Sequence, residues 1–143
     1  MKITVSRIDK ALPLPQYHSA GAAAFDLYSR LDMTVEPGTI ALVPTNLVIA
    51  TPPEHLLLVT LRSSTPRRKG LSHPAGIGVV DSDYRGPTDE VMVQVQNISA
   101  MPVKIERGER IGQAMIIATP RLQFEEIETP MAPSRGGFGS TGT

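Results

Sequence analysis

The chain has 143 residues, enough for one ordinary domain around a single core. Its 14 lysine and arginine residues balance 14 aspartate and glutamate residues, which excludes the broad basic surface of a duplex nucleic-acid binder and leaves any anionic ligand to local groups. The absence of cysteine excludes disulfides, thiolate metal sites and a cysteine nucleophile.

The opening MKITVSRIDK lacks the apolar run of a signal peptide, and no later stretch approaches a membrane span, so a cytoplasmic protein without a membrane partner is expected. Met1, Ile3 and Val5 alternate with Lys2, Thr4 and Ser6, the period of a strand with one apolar face. Leu31, Met33 and Val35 repeat the pattern up to the turn pair Pro37-Gly38. From Leu56 to Leu61 the run is nearly all apolar, which predicts a strand buried on both faces. Arg62-Ser63-Ser64-Thr65-Pro66 then predicts a short helix, with a hydroxyl as cap and Pro66 at the first helical position. Ile77 to Val80 is strand-like. Val91, Val93 and Val95, then Met101, Val103 and Ile105, again mark every second residue. Arg107 to Arg110 reads as a hairpin turn into a strand from Ile111 to Ala118. With 13 prolines and 12 glycines there is no room for long helices, and the pattern predicts an all-β sandwich, jelly roll or barrel. Residues 1–128 make up that domain. Residues 129–143, rich in Pro, Gly, Ser and Thr, cannot build a core and read as a flexible arm.

Four stretches could carry chemistry. In GIGVVDSDYRG (Gly76 to Gly86), Asp81 and Asp83 point to the same side if the chain is extended, and two close carboxylates need a metal, an arginine or a shared proton. An acidic turn is the plainer reading. In LRSSTPRRKGL, Arg62, Ser63 and Ser64 at a helix start could cradle a phosphate, or merely cap a basic surface helix. Gln113 is a polar residue inside an apolar strand and must find a hydrogen-bond partner. In SRGGFGSTG (Ser134 to Gly142) the glycines allow backbone N–H groups near an anion, and Phe138 could stack on a planar base. His18, His55 and His73 are scattered without ligand spacing, so a metal would be a hard cation held by oxygen.

Taken in order, AGAAAFDLYS (Ala20 to Ser29), RSS (Arg62 to Ser64), GVVDSDYRG (Gly78 to Gly86), GERIGQ (Gly108 to Gln113) and GGFGSTG (Gly136 to Gly142) resemble the five motifs of the trimeric dUTP diphosphatase (dUTPase) family. The resemblance implies a distorted jelly roll, or β-barrel, assembled as a homotrimer, with active sites at subunit interfaces and the C-terminal arm exchanged so that it closes a neighbour's site. It implies the substrate dUTP, hydrolysed with Mg2+ to dUMP and diphosphate. Asp81 matches the general base that deprotonates the water attacking the α-phosphorus, a role suited to a carboxylate. Arg62, Ser63, Ser64 and Gln113 match phosphate-contacting positions. Tyr84 matches the ring that packs on deoxyribose and leaves no room for a 2′-hydroxyl, and Gly78 lies in the hairpin whose backbone reads uracil. Asp26 matches the first-motif aspartate that supports the metal-water network. Phe138 matches the aromatic that stacks on uracil, while Gly139, Ser140 and Thr141 wrap the phosphates. Mg2+ is held by phosphates and water, with no direct protein ligand.

Three departures stand out. Ala75 occupies a position where the family often has asparagine. Pro133 stands where the arm often has an arginine, so Arg135, three residues before Phe138, is the candidate for the γ-phosphate. GPTDEV follows Arg85 where a shorter GEV turn is commoner. Two other readings use the same scaffold: a dCTP deaminase or bifunctional relative, whose SSxAR-type motif is replaced here by SSTPR, and a non-catalytic jelly-roll module, against which the complete set of Asp81, Tyr84, Gln113 and Phe138 argues.

Overall fold

The fold, a computed structural model, is described for residues 2–134 and 136–137. It is all-β apart from one helical turn. In chain order come β1 (Thr4–Arg7), β2 (Phe25–Tyr28), β3 (Met33–Val35), β4 (Ile40–Pro44), β5 (Leu47–Ala50), β6 (His55–Leu61), α1 (Thr65–Lys69), β7 (Leu71–Ser72), β8 (Gly78–Val80), β9 (Met92–Asn97), β10 (Val103–Ile105) and β11 (Arg110–Ala118). The strands form a four-stranded sheet ordered β2-β11-β6-β8, a three-stranded sheet ordered β4-β9-β7, and the pairs β1-β5 and β10-β3. Every pairing is antiparallel. No helix among the described residues is long and apolar enough to cross a membrane.

Alternation along the strands builds the core. In β9, Val93 and Val95 are buried while their neighbours Met92, Gln94 and Gln96 are more exposed. They pack in one cluster with Leu27, Val43, Leu57, Val59 and Ile111. The two larger sheets meet tightly at Gly112, where an added Cβ would stand 2.9 Å from Val93 Cγ2 across the layers and 3.0 Å from the Thr60 carbonyl oxygen on the neighbouring strand. A side chain there would force the layers apart. Gly108, at φ 83°, makes the turn between β10 and β11, closed by Glu109 N–H donating to Glu106 O at 3.0 Å. This left-handed geometry suits glycine.

Some expectations need correction. The strands expected from Leu31 and from Met101 begin two residues later, at Met33 and Val103; Leu31 and Met101 are exposed. In β6 only Leu57, Val59 and Leu61 are buried, while Leu56, Leu58 and Thr60 are half-covered, because no layer of the described residues lies over the second face of this sheet. Pro66 is the second helical residue rather than the first, and Ser64, at the N-cap position, makes no side-chain cap bond because it is itself helical in backbone (φ −85°, ψ −14°). β7 and β8 do not pair as a hairpin: β7 joins β9 and β8 joins β6, so the His73–Gly76 turn carries the chain from one sheet to the other.

Candidate functional site

The outer face of the four-stranded sheet gathers the polar candidates. Register sets Gln113 opposite Asp26 on one side and opposite Thr60 on the other. Period two therefore puts these three on one face and Leu27, Gly112 and Leu61 on the core face. Strict alternation would send Arg110 into the core. A β-bulge intervenes: the register shifts between Arg110 and Gly112, leaving Ile111 as the extra residue. Ile111 is thereby buried, and Arg110 joins Gln113 outside.

Asp26 is the centre of the cluster. The residue is 7% exposed, and its carboxylate meets Arg62 Nε at 3.3 Å, Arg110 Nη1 at 3.2 Å and His18 Nε2 at 3.1 Å. A buried carboxylate needs such partners to offset its lost hydration. Arg62 is engaged here through Nε alone among the described residues, so the terminal nitrogens of its fork are left for a planar or tetrahedral anion. Ser63 is exposed and Ser64 half-exposed at the start of α1, directly after Arg62. Gln113 donates from Nε2 to the Leu61 carbonyl at 3.3 Å, the structural partner an interior amide requires.

Asp81 and Asp83 do not lie in an extended segment. Tyr84 N–H donates to Asp81 O at 3.2 Å and Arg85 N–H to Asp83 O at 2.9 Å, so the acidic pair forms a tight turn with both carboxylates exposed. Among the described residues neither carboxylate has an ion-pair partner. The two aspartates separate a surface cavity of about 450 Å3, lined by His55 and Arg121, from one of about 490 Å3, lined by Leu42, Tyr84 and Met92. The Tyr84 hydroxyl donates to the Glu90 main-chain oxygen at 3.1 Å, which aims its ring. β8 is the edge strand of its sheet, so one side of its backbone lacks a ladder partner among the described residues; an added Cβ at Gly78 would stand 3.4 Å from Val59 Cβ. His73, beside it, is held below its usual pKa by burial, and its Nδ1 has no hydrogen-bond partner among the described residues.

The chain does not unite its own candidates. Val80 pairs with Leu57, so Asp81 is level with Leu56, whereas Gln113 is level with Thr60. Four residues at about 3.3 Å each make roughly 13 Å along the strand, and two strand spacings of about 4.8 Å lie across it. A base works within about 3 Å of its proton, or through one water. The Asp81 turn and the Arg62–Gln113 cluster are therefore well separated within one chain. Arg135, Phe138, Gly139, Ser140 and Thr141 lie outside the described residues.

Four residues to which the sequence assigned no place in this cluster matter here. Arg110 sat inside the GERIGQ stretch, but only the bulge makes it a partner of Asp26. His18 is eight residues from Asp26 and reaches it through the turns before β2. Arg30 and Glu90 form a forked pair at 2.9 Å on both arms, 60 residues apart in sequence, with no local signal.

The dUTPase family model matches residues 10–142. The deoxyuridine 5'-triphosphate nucleotidohydrolase of Dictyoglomus turgidum is 41% identical over 148 residues, spanning 99% of both chains. That of Methylocella silvestris is 44% identical, over 92% of this chain and 84% of the relative. Among solved structures, the dUTPase of Streptococcus mutans is 29% identical with a TM-score of 0.77, covering 84% of this chain and 98% of the other. The Staphylococcus bacteriophage 80alpha dUTPase with dUPNHPP, 21% identical with a TM-score of 0.87 over 99% of each chain, shares the fold.

Proposed function

The chain belongs to the dUTPase family, and we infer from that premise that it hydrolyses dUTP to dUMP and diphosphate, with Asp81 as the general base in a site completed by more than one copy of the chain. Asp81 orients a water at the α-phosphorus and takes its proton as the new P–O bond forms, while the bond to the diphosphate oxygen breaks. A positioned base contributes about 10²–10⁴-fold. The remainder comes from charge stabilisation by Arg62, Ser63, Ser64 and Gln113 around the polyphosphate.

The observation that carries this reading is the placement of the two halves. The Asp26–Arg62–Arg110 cluster and the Asp81 turn occupy opposite ends of the same sheet, and the stretch between them is apolar. Leu56, Leu58, Met115 and Ile117 are only half-buried there, and Val79 is 58% exposed. A half-covered apolar face between two incomplete polar sites supports a homotrimer in which Asp81 of one subunit faces Arg62 and Gln113 of another. The segment that leads into and opens the arm is bare: residues 120–134 are exposed, with Phe124 and Met131 both at 95%. That supports its exchange onto a neighbour, carrying Arg135, Phe138, Gly139, Ser140 and Thr141 towards the phosphates and base.

No group of three or more His, Asp or Glu side chains converges among the described residues, and both oxygens of Asp26 are already engaged by cations. This donor set fits Mg2+ bound through the nucleotide's own phosphates and water, where it supplies charge neutralisation of the polyphosphate; Asp26 then acts through the arginines it orients. The Tyr84 ring packs on deoxyribose, and the free backbone edge at Gly78 reads uracil, without a side chain from Ala75.

The experiment uses two chains. Asp81→Asn alone abolishes diphosphate release from dUTP but retains nucleotide binding, because the amide keeps the shape and cannot accept the proton. Arg62→Ala alone loses most activity. Refolded together, the two inactive chains regain activity, since mixed oligomers contain sites with both groups intact. Asp81→Asn at parental speed removes Asp81 as the base, and no recovery on mixing places the site within a single chain. Running UTP, dCTP and dTTP beside dUTP, with ammonia detection for dCTP, fixes the substrate.

A further inference from the structure

Tyr84 sits in an exposed turn, with its side chain's one hydrogen bond among the described residues going to the main-chain oxygen of Glu90 at 3.1 Å. The loop between them closes on itself, Gly86 N–H donating to Asp89 Oδ2 at 2.6 Å and Asp89 N–H to Gly86 O at 3.1 Å. Glu90 is thus the first residue after the turn whose side chain is tied to the body of the protein. It is 5% exposed, and both its oxygens are used: Oε1 accepts from Arg30 Nε at 2.9 Å and from the Asn46 N–H at 2.7 Å, and Oε2 accepts from Arg30 Nη2 at 2.9 Å. Asn46, at φ 74°, is fixed in turn by exchanging bonds with the backbone of Asp9.

A buried ion pair adds little stability over well-packed apolar residues. A forked guanidinium–carboxylate pair does fix relative position. We propose that the Arg30–Glu90 pair is a positioning and specificity-determining device: it fixes the Glu90 carbonyl on which the Tyr84 hydroxyl rests, and so sets how closely the Tyr84 ring approaches the sugar. The proposal rests on the assignment of Tyr84 to the deoxyribose. A ring that rejects one extra hydroxyl must be held in place; freed from its anchor it swings outward and admits a ribonucleotide.

The readout is the ratio of kcat/KM for UTP to that for dUTP, measured on the full chain with thermal unfolding alongside. Tyr84→Phe removes only the anchoring hydroxyl, and Glu90→Gln keeps the acceptor for Asn46 while losing the ionic fork. Each raises the ratio about 2- to 10-fold, the worth of one intramolecular hydrogen bond. The double variant gains no more than either alone, because both act through one link. Arg30→Lys, which keeps the charge and loses the fork, gives the same shift and carries the test if Glu90→Gln does not fold. Tyr84→Ala separates the two layers of the argument. If it raises the ratio while Tyr84→Phe and Glu90→Gln leave it at the parental value, the anchor is overturned and the sugar contact stands. If Tyr84→Ala itself leaves the ratio unchanged, both fall. Multiplicative effects in the double variant also overturn the proposal, since Glu90 would then act elsewhere.

Discussion

Asp26→Asn tests whether the buried carboxylate organises Arg62, the arginine proposed to bind phosphate. The substitution keeps the volume but removes the charge and turns one acceptor into a donor facing donors. Contacts of 3.1–3.3 Å are long for charged hydrogen bonds, and the partners' side chains are partly exposed, at 33% for Arg62, 42% for Arg110 and 48% for His18. Solvent screening therefore reduces the Arg110 and His18 pairs to about 0.5 kcal/mol each, with Arg62 at about 1–1.5 kcal/mol. The sum, about 2–2.5 kcal/mol, corresponds to a fall of roughly 7–8 °C in melting temperature for a chain of this length. The kinetic effect is separate. An Arg62 fork no longer aimed at phosphate loses one charge-assisted contact, about 1.5–3 kcal/mol, or roughly 10- to 100-fold in kcat/KM for dUTP. The assays are thermal unfolding followed by circular dichroism and diphosphate release at subsaturating dUTP. A stable variant with parental kcat/KM would refute the reasoning, because Arg62 would then hold its geometry without Asp26. A variant that loses stability but keeps kcat/KM would reduce Asp26 to a structural role.

Two further outcomes follow from the same structure. Ending the chain before Ser134 leaves the melting temperature nearly unchanged, since Ser134, Gly136 and Gly137, the described residues it removes, are all exposed, but removes most dUTP hydrolysis; a fully active truncation would take the arm out of the mechanism. His73 is pushed below its ordinary value of 6.5 by burial, so the unfolded chain takes up this proton first as pH falls. Its contribution to stability is complete above the unfolded value and is lost as pH drops from 6.5 towards the folded value. Denaturant midpoints should fall across that window, and His73→Gln should flatten the fall. Identical pH profiles would show that the ring is not titrating with folding.

Strands whose apolar partners recur within a few residues were legible from the sequence. Val93 and Val95 in β9, or Val103 and Ile105 in β10, reveal their inner face without knowledge of the neighbouring strand. The ends of strands were less legible, because whether Leu31 or Met101 joins a strand depends on a partner elsewhere in the fold. Phosphate chemistry was visible in the order of the motifs more than in any one of them. Asp81 and Asp83 taken alone form an acidic turn, and the geometry is that of a turn. The forked Arg30–Glu90 pair was invisible, since nothing near either residue announces a partner 60 positions away.

What the sequence by itself determined is a β domain with a basic residue, two hydroxyls, an acidic turn and an interior amide in family order. These depend on local periodicity and on residue chemistry, both carried by short stretches of chain. Tertiary structure decided the rest. One extra residue at Ile111 turned Arg110 from the core towards Asp26, and the registers of β11 and β8 on β6 set Asp81 roughly four strand positions from Gln113. Register is a relation between distant segments, and a shift of one residue reverses every side chain on a strand; only the assembled sheet can say which charges meet.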